Sequence, residues 1–166
     1  MAKKILVVDD EIKLLTVIQK RLESVGYEVI TAKDGGDGLK KARAENPDLI
    51  ILDLILPILD GYQVCSILKH DTVYKKIPIL MLTVRSQKQD MDEGMRVGAD
   101  AFMTKPFKHE ELLAQVAELL KKAEAEKSNE LIKKEAGEKE HGERLLKEAE
   151  AMGVLHKEEK TKRNNK

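Results

Sequence analysis

The chain has one cysteine in 166 residues, Cys65, so no internal disulfide can hold it together. Its setting, Tyr62-Gln63-Val64-Cys65-Ser66-Ile67-Leu68, reads as a small residue packed on a helix rather than a reactive thiol, because free cysteine is usually buried and inert. Net charge is also missing: 30 Lys and Arg balance 30 Asp and Glu. That balance gives no reason to expect nucleic acid or an anionic membrane as the main partner. No stretch approaches the ~20 apolar residues of a membrane span. The apolar run after Met1-Ala2-Lys3-Lys4 is too short for a signal peptide, and a cytoplasmic location is the expectation. There is no cysteine–histidine cluster and no glycine-rich phosphate loop.

The composition that remains, 42% apolar and 36% charged, suits one packed domain with an appendage. It breaks near residue 120. From Lys121 to Lys166 there are 13 basic and 11 acidic residues, leaving 17 and 19 in the first 120. The expected divisions are therefore residues 1–120, a charged helical extension over 121–156, and a disordered terminus over 157–166.

The first part alternates. Short apolar runs fall at Ile5–Val8, Val29–Thr31, Leu49–Leu52, Ile79–Leu82 and Asp100–Met103. Between and after them lie helical spacings: Ile12, Leu15, Ile18 and Leu22, stopped by Gly26; Leu39 and Ala42, ending before Asn46-Pro47; Val64, Ile67 and Leu68; Met91 and Met95, closed by Gly98; and Leu112, Leu113, Val116, Leu119 and Leu120. Five strand–helix repeats predict an α/β fold, a parallel sheet with helices on both faces. Runs with no polar alternation, such as Leu49–Leu52, fit strands buried on both sides.

In such sheets ligands sit beyond the carboxyl ends of the strands. After the first strand come Asp9, Asp10 and Glu11. Asp53 ends the third, Thr83 the fourth, and Lys105-Pro106 comes after the fifth. The three aspartates supply hard oxygen ligands suited to Mg²⁺, and a divalent cation makes three neighbouring acids tolerable without protonation. Each residue also has a plainer reading: Asp9 or Asp10 as a helix cap, Thr83 as an ordinary strand-end residue, Lys105 as a solvated charge. A carboxylate at Asp53 can accept a phosphoryl group as an acyl phosphate, with an ammonium and a hydroxyl nearby to neutralise and bind its oxygens.

The segments Val7-Val8-Asp9-Asp10-Glu11, Asp53-Leu54-Ile55-Leu56-Pro57-Ile58-Leu59-Asp60-Gly61, Leu82-Thr83 and Lys105-Pro106-Phe107 resemble the receiver domain of bacterial two-component response regulators, over about Lys3 to Leu120. The resemblance implies a flavodoxin-like, doubly wound (βα)5 fold with strand order 2-1-3-4-5. It implies phosphorylation of Asp53 by a sensor histidine kinase or phosphotransfer protein. It also implies Mg²⁺ on Asp9, Asp10, Asp53 and the backbone carbonyl of Ile55, and phosphoryl contacts from Thr83 and Lys105. A cis Lys105-Pro106 bond and a switch pairing Thr83 with Phe102 belong to the same expectation, as does possible phosphorylation-dependent pairing of two copies. Phe102 departs from the tyrosine frequent in the family, and Val84 from the usual small residue. Ile55 and Arg85 stand at the mouth of the site, where apolar Ile55 is expected to limit water access. The chain is therefore expected to be a signalling protein and not an enzyme in its own right, acting by protein contact. A phosphorelay intermediate is one alternative, and a pseudo-receiver whose tail is the working scaffold is another. A hydrolase would want a further general acid near the nucleophile, and position 55 is isoleucine.

In the tail, a heptad register through Ala117, Leu131, Leu145 and Met152 also lands on Glu124 and Glu138, which disfavours a long zipper. The fifth helix is expected to run to about Glu135 and break at Gly137 and Gly142. A second short helix over Glu143–Met152 would come next, and the basic end from Lys160 to Lys166 is expected to be a solvated terminus.

Overall fold

A computed structural model describes residues 1–84 and 88–154. In chain order they form β1 (Lys4–Val8), α1 (Ile12–Ser24), β2 (Glu28–Ala32), α2 (Gly35–Glu45), β3 (Leu49–Leu52), α3 (Gly61–Lys69), β4 (Ile79–Thr83), α4 (Lys88–Arg96), β5 (Ala101–Thr104) and α5 (His109–Ala149), closed by a π-helical turn, Glu150–Val154. The five strands are all parallel, in the order β2-β1-β3-β4-β5. This is the parallel sheet expected from the alternating pattern, in the doubly wound order that the family resemblance implied.

The side-chain period of two divides each strand between two cores. Ile5, Val7, Leu49, Ile51, Leu80 and Leu82 face one way, against Leu15, Ile18 and Leu22 of α1 and Leu112, Val116 and Leu119 of α5. Leu6, Val8, Ile50, Leu52, Ile79 and Met81 face the other, against Ala42 of α2 and Val64, Cys65 and Leu68 of α3. All four residues of β3 and all five of β4 are buried, which is why their sequences show no polar alternation. Truncating a side chain such as Ile18 to alanine would cost on the order of 2–5 kcal/mol.

Local signals set the element ends. Asp34 caps α2 by accepting from the Asp37 amide at 2.7 Å. Asp60 caps α3 with a reciprocal box: its Oδ1 accepts from the Gln63 amide at 2.8 Å, while Gln63 Oε1 accepts from the Asp60 amide at 3.0 Å. Gly26, at φ +96°, turns the chain after α1 into β2.

Two sequence expectations are corrected. Met91 and Met95 do mark a helix, but both are exposed, and the buried residue of α4 is Gly94. A glycine gives no hydrophobic signal, so the core-facing side of α4 was hidden. Helix α5 does not break at Gly137 or Gly142 and there is no separate helix over Glu143–Met152: one α-helix continues to Ala149. A glycine costs only about 1 kcal/mol against alanine in a helix interior, and the surrounding Glu, Lys, Leu and Ala are strong helix formers that outweigh it.

The chain divides into two compact units, Met1–Ala123 and Glu124–Lys166. In the second, every residue from 124 to 153 is exposed. The terminus over 157–166, its basic end, and Arg85 lie outside the described residues. Among the described residues no helix is long and apolar enough to cross a membrane.

Candidate functional site

Three rim residues are each held by a backbone bond that continues the parallel ladder one step past the strands. The Asp9 amide donates to the Ala32 carbonyl at 3.1 Å, the Asp53 amide to the Val8 carbonyl at 2.9 Å, and the Lys105 amide to the Thr83 carbonyl at 2.8 Å. The side chains beyond β1, β3 and β5 are thereby fixed on one edge of the sheet.

The chain turns sharply after Asp53. Gly61 packs so close that a Cβ there would collide with the Asp53 carbonyl, and its amide donates to the Leu54 carbonyl at 2.8 Å. Pro57 and the Asp60 cap complete this turn into α3. Ile58 within it adopts φ +72° and is 79% exposed, an unusual conformation for a β-branched residue.

The structure brings together Asp9, Asp10, Asp53 and Lys105. One carboxylate oxygen from each aspartate lies within 4.8 Å of the others. Asp9 and Asp53 are buried and Asp10 is exposed, so the adjacent aspartates point differently, as neighbours at a strand end must. The Lys105 ammonium donates to Asp9 Oδ2 at 2.7 Å and to Asp53 Oδ2 at 3.4 Å. Asp9 also does local work, because its Oδ1 accepts from the Glu11 amide at 2.9 Å, next to the start of α1. That bond closes a turn before α1 and is not a cap, because Glu11 is the N-cap residue and α1 has no side-chain cap bond. The Lys105-Pro106 peptide bond is cis.

Burial, and secondarily the negative charge of Asp9, push the Asp53 carboxyl above its ordinary range, against the opposing pull of Lys105. Burial works to lower Lys105, but its bond to Asp9 and the charges of Asp53 and Asp9 outweigh that and leave the ammonium raised. The site therefore sets three carboxyl groups against one lysine. This donor set fits Mg²⁺: hard oxygens, a surplus of negative charge, and an exposed side at Asp10 where water can complete a coordination shell.

Thr83 is fully buried at the end of β4. Ile55 stands at the rim, about half exposed, and Val84 is exposed. Phe102, on β5, is half-buried in the core layer that also contains Tyr62. Beside Lys105 an open pocket of about 360 Å³ is lined by Glu11, Leu14, Val84, Phe107 and His109 among others.

Sequence reasoning missed the surroundings of Phe102. Gly94 lies against its ring, and the Tyr62 hydroxyl donates to the Asp90 carbonyl at 2.9 Å. The available signal was a glycine inside a helical pattern, which implies close approach of another group.

The chain's likenesses agree with this geometry. The family described as response regulator receiver domain matches residues 5–117. The alkaline phosphatase synthesis transcriptional regulatory protein PhoP of Bacillus subtilis is 50% identical over 124 residues, covering 75% of this chain and 51% of PhoP. Protein PilG of Pseudomonas aeruginosa is 39% identical over 113 residues, covering 68% of this chain and 84% of PilG. Among solved structures, the chemotaxis response regulator CheY4 of Vibrio cholerae has a TM-score of 0.68 at 36% identity, covering 72% of this chain and 99% of CheY4. The chain spans about half the length of the matching relatives that are named as transcriptional regulators.

Proposed function

The chain belongs to the response regulator receiver domain family, and from that membership we propose that it accepts a phosphoryl group on Asp53 from a histidine kinase or phosphotransfer protein and signals by protein contact. The observation that carries this reading is the convergence of Asp9, Asp10, Asp53 and Lys105 on one rim.

In the proposed reaction a carboxylate oxygen of Asp53 attacks the phosphorus of a phosphohistidine. The new P–O bond forms as the P–N bond breaks, the electron pair leaves on the imidazole nitrogen, and that nitrogen takes a proton from solvent. Asp53 supports the role by its position, buried yet on the rim, and by a carboxyl whose negative charge is disfavoured where it stands. Lys105, already 3.4 Å from Asp53 Oδ2, can meet a phosphoryl oxygen with little rearrangement. The Thr83 hydroxyl is assigned a second oxygen, and Phe102 the packing response on β5. Asp9, Asp10 and Asp53, with the Ile55 carbonyl that the family resemblance adds, would hold Mg²⁺, which when bound offsets negative charge on the transferring group. Catalysis of this kind needs positioning and charge neutralisation more than covalent help from the protein.

The segment beyond the receiver is one exposed, charged helix among the described residues, a surface suited to protein contact. On this reading the receiver ends near residue 120 and the extension over 121–156 is a separate working part. Leu131, Ile132, Leu145 and Leu146 are exposed on it.

The test is to incubate the full chain with Mg²⁺ and a small phosphodonor and to follow its mass. A lasting gain of one phosphoryl group, absent in Asp53→Asn, is expected. Turnover of the donor without a lasting adduct would make the chain a hydrolase, and no reaction would make it a pseudo-receiver.

A further inference from the structure

Helix α4 has one buried residue, Gly94. A Cβ there would lie 3.3 and 3.4 Å from Cδ2 and Cε2 of Phe102, and 3.9 Å from Cε1 of Tyr62. Glycine thus lets the helix backbone close on the Phe102 ring of β5, with the Tyr62 ring of α3 at ordinary contact distance beside it. One turn earlier on the same face of α4, the Asp90 carbonyl accepts the Tyr62 hydroxyl at 2.9 Å, with Asp90 Oδ1 at 3.4 Å. Tyr62 therefore touches α4 twice, once by packing and once by a hydrogen bond. Phe102 has no hydroxyl of its own, so the phenol at this seat comes from the neighbouring helix.

We propose that Tyr62 is a positioning residue for the switch: its hydroxyl ties the first turn of α4 down over the Phe102 ring and holds that ring in its half-buried seat. The inference rests on the proposed switch roles of Thr83 and Phe102. If Phe102 moves toward Thr83 when Asp53 carries a phosphoryl group, the space against Gly94 empties. Helix α4 must then move with the ring or leave a void, and the Tyr62–Asp90 bond resists its displacement. A ligand shifts a two-state equilibrium only by its differential affinity for the two states, so a tether on one state weakens the apparent binding of anything that favours the other. Loss of one neutral hydrogen bond changes such an equilibrium by roughly 3- to 10-fold.

The experiment is a titration of the full chain, in Mg²⁺, with beryllofluoride as the phosphoryl mimic, followed by hydrogen exchange of the amides of residues 88–96. Tyr62→Phe keeps the ring and removes only the hydroxyl. It is expected to lower the half-saturating concentration by about 3- to 10-fold. In a Phe102→Ala background, with no ring in the seat, the same substitution is expected to have no effect. A purely structural tyrosine would alter the exchange of α4 but not the half-saturation. The proposal is overturned if Tyr62→Phe titrates within twofold of the wild type, or if its effect persists without Phe102. Failure of the wild type to bind beryllofluoride would instead bring down the phosphoryl-acceptor reading, and this inference with it.

Discussion

The ammonium of Lys105 is bonded to Asp9 at 2.7 Å across 96 positions of sequence, while Asp53, the acid assigned to take the phosphoryl group, stands farther off at 3.4 Å. The lysine's shorter bond thus goes to the neighbour of the reactive group. Asp53 is left under-compensated, which suits a nucleophile and carries a cost in stability.

That cost can be measured. Burial and Asp9 raise the Asp53 carboxyl above its unfolded value, so this group's contribution to stability is fully present below the ordinary carboxylate range and is lost as pH rises through the raised value. Above that raised value the charged carboxylate is disfavoured by its burial and by Asp9. Asp53→Asn should raise Tm by a few degrees at pH 7 without Mg²⁺, and the gap should narrow as the solution is acidified. A lower Tm at pH 7 would show that Lys105 more than compensates the charge.

Ile58 predicts a stabilising substitution. Its φ of +72° puts a β-branched residue in the left-handed region, and its side chain is largely solvent-exposed. Ile58→Asn should add about 1 kcal/mol, because the left-handed conformation costs a residue other than glycine or asparagine roughly 1–2 kcal/mol. Urea unfolding is the check: the midpoint should rise with no change in slope.

Ile55 should govern how long the phosphoryl group survives. An apolar side chain at the rim shields the phosphorus, whereas an amide there could hold an attacking water. Ile55→Asn should shorten the lifetime of the phosphorylated chain severalfold, read as loss of the mass adduct after the donor is removed. An unchanged rate would assign the lifetime to other residues.

Cys65 gives an alkaline signature. It is fully buried, and burial pushes its thiol from an ordinary 9.0 up to about 12. Stability tied to the neutral thiol is intact below 9.0 and is lost as pH rises toward 12, because the unfolded chain ionises first. The loss should reach about 1.4 kcal/mol by pH 10. Cys65→Ala should show a shallower decline over the same range, and equal slopes would count against the shift.

How much of this was legible in the sequence depends on how each residue carries its information. The strands announced themselves because β3 and β4 are buried on both faces, so their sequences are unbroken apolar runs. The rim residues were legible for the same reason: a polar group directly after such a run has to lie at the sheet edge. Helix α4 was only half legible. Its inward residue is a glycine, and the methionines that suggested its face point to solvent. Helix α5 was misjudged because glycine was read as a stop, when two isolated glycines among strong helix formers only lower the margin. Contacts set by the fold stayed invisible, such as Lys69 reaching Asp100 at 2.8 Å over 31 positions, because nothing local to either residue encodes them.

The two oxygens of Asp9 serve different masters: Oδ1 is anchored to the Glu11 amide, while Oδ2 is held by the distant lysine. An anion arriving at Asp53 competes for that lysine and can win it without disturbing the anchor. On the proposed reading the segment after β5 would then be recruited to the newcomer while the start of α1 stays where it was. News of the modification would leave along one flank of the cleft and not the other.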